Sequence, residues 1–304
     1  MAERIELTFL GTGGTVPIAR RGHMATLLKF GGENILIDCG EGTQRQFRKA
    51  GKNPCKVTKI LITHWHGDHV FGLPGLFNTL RLSGYNRKLE IYGPLGTKEW
   101  IRKYLDLVGR RGMDLDIEVS EVSEGVVCEA DEYFIESRRV DHECPAVAYS
   151  FVVKDKARLD KGKLEKVGLP NSALLGRLAK GEDVEVKGKV FHGKDFVYKE
   201  KGRKVVFVMD TRDCDGAREI AKDADLLVIE STYSSTEDKE LLDERAHLSS
   251  VEAASIAKDS NVKSLALVHL SQRYEAVPKM IEKEARRVFG DGVRVPEDFD
   301  EIVL

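Results

Sequence analysis

What this 304-residue chain lacks sets its first limits. No stretch approaches the roughly 20 apolar residues of a membrane-spanning helix, so no membrane association is expected. The opening MAERIELTFLGTGG carries acidic residues inside its apolar stretch and has no hydrophobic run of signal-peptide length, which points to a soluble cytoplasmic protein. The only cysteines, Cys39, Cys55, Cys128, Cys144 and Cys214, are scattered, odd in number and without a Cys-x-x-Cys pair. They fit reduced, buried thiols better than a disulfide framework. An excess of positive charge is missing as well. A formal net charge of -2 argues against a globally basic nucleic-acid binder, so any such contact has to be local.

What is present suffices for one large domain or two small ones, with 41% hydrophobic and 32% charged residues. Short runs rich in Val, Ile and Leu alternate with helical patterns. Strands are expected over IELTFLG, ATLLKF, NILIDCG, VTKILIT and KLEIYG, most of them closed by Gly, Asp or Thr. Helical spacing marks GTKEWIRKYLDLV and VPKMIEKEARRVF. Strands recur over DIEVSEV, EYFIESRRV and AVAYSFVV. The later chain returns to alternation: KVVFVMD, a helix over CDGAREIAKDA, LLVIEST, a helix over SVEAASIAKDS, then SLALVHL. The pattern predicts a mixed-sheet α/β protein with two similar sheet-plus-helix halves. One interval departs from it. From Lys154 to Lys204 periodicity is weak, and 15 Lys and Arg stand against 8 Asp and Glu, an excess of +7 that leaves -9 for the remainder. This interval is either a solvated surface hairpin or a basic arm that grips a polyanion.

The densest chemistry lies in LITHWHGDHVFGL, Leu61 to Leu73, where His64, His66, Asp68 and His69 fall within six residues behind an apolar run. Imidazole nitrogens and carboxylate oxygens are the borderline ligands that Zn²⁺ takes at neutral pH. Residues two apart in an extended segment project the same way, so His64 and His66 can reach one ion. A turn begun at Gly67 brings Asp68 and His69 to a neighbouring position. His142, Asp210 and His269 each close an apparent strand, where functional groups are commonly displayed, although each alone has a structural explanation.

The run Thr-His-x-His-x-Asp-His at Thr63 to His69, followed by His142, Asp210 and His269, resembles the metallo-β-lactamase superfamily over nearly the whole chain. The resemblance implies a four-layered αββα sandwich and two zinc ions per chain. His64, His66 and His142 would hold one ion, Asp68, His69 and His269 the other, and Asp210 both. Further stretches resemble ribonuclease Z, the endonuclease family that trims the 3′ end of precursor tRNA. FLGTGGTVP…RR (Phe9 to Arg21) is similar to its opening motif and LVHLSQRY (Leu267 to Tyr274) to its closing motif. Leu226 to Tyr233 and Arg245 to Ser250 stand where the family has His-Glu-Ala-Thr and His-Ser-Thr. GLPNSALLGRLAKGEDV, within the basic interval, resembles the family's protruding tRNA-binding arm. Departures exist: Asn171, Ser172 and Ala173 replace a Gly-Pro pair, Ile229 and Ser231 flank Glu230, and Ala19 and Gly22 replace Lys and Asn. The expectation is one domain over 1–304 with an inserted arm over 154–204, working as a homodimer on precursor tRNA.

Mechanistically, two zinc ions would make a hydroxide available near neutral pH and neutralise charge on the attacked phosphate. Asp68 would position or deprotonate the nucleophile, and His247, held by Glu230, would protonate the leaving 3′ oxygen. Lys161, Lys163, Lys166, Arg177 and Lys180 are candidate phosphate contacts, with Ser271 and Arg273 beside His269. Gly11, Gly13 and Gly14 lack the GxGxxG spacing, so backbone packed close under the metals explains them better than a phosphate cradle. Trp65 reads as a wall of the site. The alternative is a small-molecule hydrolase of the same fold, glyoxalase-II-like or arylsulfatase-like. A helicase-like cap is excluded by the short interval from Tyr233 to His269, and a purely structural metal by the surplus of ligands.

Overall fold

Uninterrupted runs of Val, Ile, Leu and Phe build two large sheets in this computed structural model, which describes residues 3–107, 115–167, 173–186, 188–235 and 244–304. The first part of the chain contains β1 (Ile5–Gly11), β2 (Ala25–Phe30), β3 (Glu33–Ile37), α1 (Thr43–Lys49), β4 (Lys59–Leu61), α2 (Gly67–Val70), α3 (Leu73–Leu82), β5 (Leu89–Gly93), α4 (Thr97–Leu107) and β6 (Ile117–Glu121). There follow β7 (Gly125–Glu129), β8 (Tyr133–Arg139) and β9 (Val147–Val153). The basic interval contains β10 (Lys156–Leu159), α5 (Lys161–Lys166), α6 (Ala173–Ala179), β11 (Val184–Val186), β12 (Lys189–Phe191), α7 (Gly193–Phe196) and β13 (Val197–Glu200). The last part holds β14 (Lys204–Val208), α8 (Asp215–Ala221), β15 (Leu226–Glu230), α9 (Ser250–Asp259), β16 (Leu265–Val268), α10 (Pro278–Phe289), β17 (Val293–Arg294) and β18 (Glu301–Val303).

The chain forms two compact units, one of residues 1–129, 134–151 and 204–304, the other of 130–133 and 152–203. In the first, the sheets run β18-β1-β2-β3-β4-β5-β6 and β17-β16-β15-β14-β9-β8-β7. Strands β3 to β6 are parallel, as are β14 to β17, and each parallel set is threaded by helices, as crossover connections require. Alternation along the strands separates the layers. Val206, Val208, Leu227 and Ile229 pack with α8, α9 and α10, and Leu27, Leu36, Ile60 and Ile91 pack with α1, α3 and α4. Their neighbours Val205, Phe207, Leu226 and Val228, like Leu28, Phe30 and Ile35, are buried on the opposite faces. There the sheets meet: Tyr149 Oη donates to Ile62 O at 2.9 Å, and the rings of Phe30 and Phe151 lie 5.5 Å apart. Strands buried on both faces read as continuous apolar runs, which is why they are legible in the sequence. The result is the expected αββα sandwich.

The second unit has a small core of Leu164, Leu178, Val184, Phe191 and Phe196, with the antiparallel pairings β10–β13 and β11–β12. It therefore contains ordered strands and helices where the sequence offers little periodicity. Several of its cations are paired: Arg158 with Glu200 at 2.7 Å, Lys199 with Asp155 at 2.7 Å and Lys156 with Glu132. Asn171 and Ser172 of the arm motif lie outside the described residues. No described helix is long and apolar enough to cross a membrane.

Candidate metal centre

Several strands of the first unit stop short of their apolar runs, and the residues left over build the site. VTKILIT forms a strand only over β4, so Thr63 to His66 lie beyond its end before α2 presents Asp68 and His69. KVVFVMD stops pairing at Val208, two residues before Asp210, and SLALVHL stops at Val268, one before His269. His142 follows β8 and His247 precedes the capping box that opens α9. Three residues around the site, Asp38, Ala246 and His269, have φ of 55°, 52° and 59°, a left-handed conformation unfavourable for residues other than glycine.

All seven expected ligands converge. His64, His66, His142 and Asp210 each offer a ligand atom within 4.8 Å of one another, and so do Asp68, His69, Asp210 and His269. Asp210 is common to both groups. The far side of four of the five histidine rings is committed. His69 Nδ1 donates to Asp38 Oδ2 at 2.8 Å, His269 Nδ1 to Thr232 Oγ1 at 2.8 Å and His142 Nδ1 to Ala246 O at 3.1 Å. His64 Nδ1 lies 3.1 Å from Thr63 Oγ1, whose proton is given to Asp38. These bonds turn the Nε2 lone pairs inward, the arrangement typical of metal-ligating histidines.

The inward atoms are then acceptors facing acceptors. His269 Nε2 is 3.1 Å from Asp68 Oδ2 and 3.4 Å from Asp210 Oδ1; His69 Nε2 is 3.3 Å from Asp210 Oδ1; His142 Nε2 is 3.1 Å from His66 Nδ1. His64 Nε2, His69 Nε2 and Asp210 Oδ1 are buried without a hydrogen-bond partner. Only positive charge between them satisfies such a set. The electrostatics agree. Burial drives the His64 imidazole well below its ordinary range, whereas around His69 burial is outweighed by Asp210, Asp38 and Asp68, which lift it well above. For Asp210 and Asp68 burial is likewise outweighed, by the surrounding histidines, and both carboxyls sit below the usual carboxylate range. The donor set fits a pair of divalent cations.

Beside it stands a second constellation. His247 Nδ1 donates to Glu230 Oε1 at 3.0 Å. Glu230 is fully buried and also accepts from Thr211 N–H at 2.8 Å and Thr232 Oγ1 at 2.6 Å. Burial opposes the charged imidazole of His247, but Glu230 and then Asp210 outweigh it and raise its pKa to about 9. Sequence reasoning missed Asp38 and Ala246 because a lone strand-end aspartate and a backbone carbonyl carry no motif.

The remaining candidates fall differently. Gly14 is packed against the site: a Cβ there would lie 3.3 Å from the His269 ring, and its N–H already donates to Leu270 O. Gly11 and Gly13 pack against residues 21–23, and Gly13 N–H donates to Gly22 O, so these glycines brace backbone and cradle no phosphate. Trp65 stacks on Trp100 and donates to Thr97, forming a wall. Ser271 caps the turn Gln272–Tyr274, while Arg273 is exposed beside it. In the second unit, Arg177 is engaged with Glu182 and Lys163 donates to Asp195 O, whereas Lys161, Lys166 and Lys180 are exposed and make no ion pair among the described residues.

Fold and donor set together define a metal-dependent protein of the metallo-β-lactamase class. Likeness of fold extends to the metallo-beta-lactamase fold protein YhfI from Bacillus subtilis, with TM-score 0.72 over 99% of this chain and 100% of that one at 19% identity. Residues 5–159 match the family model described as Anti-Pycsar protein Apyc1, so half of the chain belongs with that family. Ribonuclease Z of Natronomonas pharaonis is 38% identical over 302 residues, 98% of this chain and 97% of its own. Human tRNase Z, short form, superposes with TM-score 0.70 at 27% identity, covering 98% of each chain. The chain belongs to the ribonuclease Z family.

Proposed function

We infer that the protein is an endoribonuclease that cuts the 3′ trailer from precursor tRNA near the discriminator base, leaving a 3′-hydroxyl on the tRNA and a 5′-phosphate on the trailer. Membership of the ribonuclease Z family supports this reading. The single observation that carries it is the pairing of half-buried His247 with fully buried Glu230 beside the cation-demanding cluster. Small-molecule hydrolysis with a good leaving group needs no such acid; expulsion of a ribose 3′ oxygen does.

His64, His66 and His142 are assigned to one zinc ion, Asp68, His69 and His269 to the other, and Asp210 to both. Bound there, the ions would act as Lewis acids on the phosphate and lower the pKa of water. Asp68, with one oxygen turned to His269, uses the other to orient and deprotonate the attacking water. His247 is cationic at neutral pH, and with Nδ1 committed to Glu230 it delivers its proton from Nε2 to the departing 3′ oxygen. Lys161, Lys166 and Lys180 bind phosphates of the tRNA body, with Lys163 and Arg177 reaching the RNA only by giving up their present partners. Arg273 and Ser271 flank the scissile strand. The working unit is a homodimer, a reading that rests on the family resemblance, and the scattered, unpaired cysteines suit a cytoplasmic protein.

The test is incubation of the metal-assayed protein with an end-labelled precursor tRNA bearing a 3′ trailer. A single cut beside the discriminator base, lost in Asp68→Ala, is the expected result. An uncut substrate with two metals bound overturns the reading in favour of small-molecule hydrolysis.

A further inference from the structure

Glu284 lies on α10, only 5% exposed, and no step of the reaction uses it. A buried carboxylate persists only where donors satisfy it. Glu284 accepts from Ser234 Oγ at 2.9 Å, from Ser235 N–H at 3.3 Å and from Ser250 Oγ through a short bond. These donors come from two separate segments. Ser234 and Ser235 follow Glu230 on the chain beyond β15, and Ser250 opens α9 three residues after His247. The segments also pair directly. Tyr233 N–H donates to Leu248 O at 3.3 Å and Ser250 N–H donates to Tyr233 O at 3.0 Å, while Ser234 N–H donates to Tyr274 Oη at 2.9 Å. One segment thus carries Glu230 and the other His247, and the carboxylate of Glu284 ties their continuations together.

We propose that Glu284 is a positioning residue for the proton donor: by clamping Ser234–Ser235 to Ser250 it holds His247 Nδ1 at its 3.0 Å bond to Glu230. The inference rests on the reading of His247 as the acid that protonates the 3′ oxygen. The bonds that make the clamp go to Ser234, Ser235 and Ser250 and to none of the seven cluster residues, so its loss is expected to leave the cation cluster intact. It loosens the geometry of one proton transfer.

Leaving-group chemistry separates this role from general structural damage. The 3′ oxygen of precursor tRNA needs a proton to depart, whereas p-nitrophenolate does not. Glu284→Ala, Glu284→Gln and His247→Ala, each with measured metal content, are compared on precursor tRNA and on bis(p-nitrophenyl) phosphate. Glu284→Ala is expected to keep its metal and a KM within about threefold, and to lose about 10- to 100-fold in kcat on precursor tRNA. On the activated diester its loss, like that of His247→Ala, is at least about tenfold smaller. Glu284→Gln, which keeps an acceptor oxygen, recovers part of the rate. Equal losses on both substrates overturn the proposal, and so does unchanged cleavage of precursor tRNA. If Glu284→Ala does not fold, Ser250→Ala carries the same comparison. A wild-type protein that hydrolyses the diester but leaves precursor tRNA uncut refutes the endonuclease reading, and this role with it.

Discussion

At the scale of single residues, the partners behind the candidate ligands decide which way those side chains face. Asp38 accepts from His69 Nδ1, Thr63 N–H and Thr63 Oγ1, so one buried carboxylate orients a ligand ring and the chain that carries His64. Asp38→Asn keeps the shape but places an amide donor where an acceptor is needed. Zinc affinity, read by competition with a chelating dye, is expected to fall about 10- to 100-fold. His247 makes a pH prediction. Its pKa rises from the ordinary 6.5 to about 9, so the protonated form persists through neutrality and is lost as pH rises through the folded value. Cations bound at Asp210 would offset part of that rise. The alkaline limb of kcat on precursor tRNA should therefore fall between those two values, and Glu230→Gln should move it toward the lower one. A limb that Glu230→Gln leaves in place would contradict the assignment of His247 as the acid.

Among the elements, the notable feature is where strands end. NILIDCG, VTKILIT, KVVFVMD and SLALVHL all read as strands to their last residue, yet pairing stops at Ile37, Leu61, Val208 and Val268. Propensity does not reveal this, because Thr, Ile and Val suit a strand whether or not a neighbour remains to pair with. The surplus residues, Asp38, Thr63, Asp210 and His269, turn into the site. The junction of α2 and α3 is fixed by a close backbone approach. A Cβ at Gly72 would meet Gly40 O at 2.0 Å and Cys39 O at 2.8 Å, and Cys39 N–H donates to His69 O at 2.7 Å. Gly72→Ala must push α2 away from that loop. A stability loss of about 1–3 kcal/mol is expected, seen as a fall in Tm of several degrees together with reduced metal content. An unchanged melting curve would mean that the backbone gives way without cost.

Over the whole molecule, charge is divided unevenly. The interval Lys154–Lys204 carries an excess of +7 in a chain of net -2. Lys161, Lys166 and Lys180, exposed and without ion pairs among the described residues, are the cations best placed to release counterions from RNA phosphates. Binding of precursor tRNA to an Asp68→Ala protein should weaken steeply with salt. Replacing the three lysines by alanine in that background should reduce the log–log slope by about 3, and the same replacements in the active protein should leave kcat on saturating substrate unaltered. A slope equal to that of the unsubstituted chain would exclude them as phosphate contacts.

By itself the sequence determined the local and the continuous: His64, His66, Asp68 and His69 are neighbours along the chain, and strands buried on both faces announce themselves as unbroken apolar runs. Family motifs carried His142, Asp210 and His269 further than their spacing alone allowed. Only the tertiary structure decided how these groups meet. His269 Nε2 comes within 3.1 Å of Asp68 although 201 positions separate them, and the Nδ1 partners Asp38, Thr232 and Ala246 come from three different loops. Ligand fields and hydrogen bonds depend on distances of a few ångströms, and those are set by sheet pairing and helix packing, which bring together residues that no local pattern connects. The second unit is the converse case. Its short strands and small core are too brief to leave a period in the sequence, and only pairing made them visible.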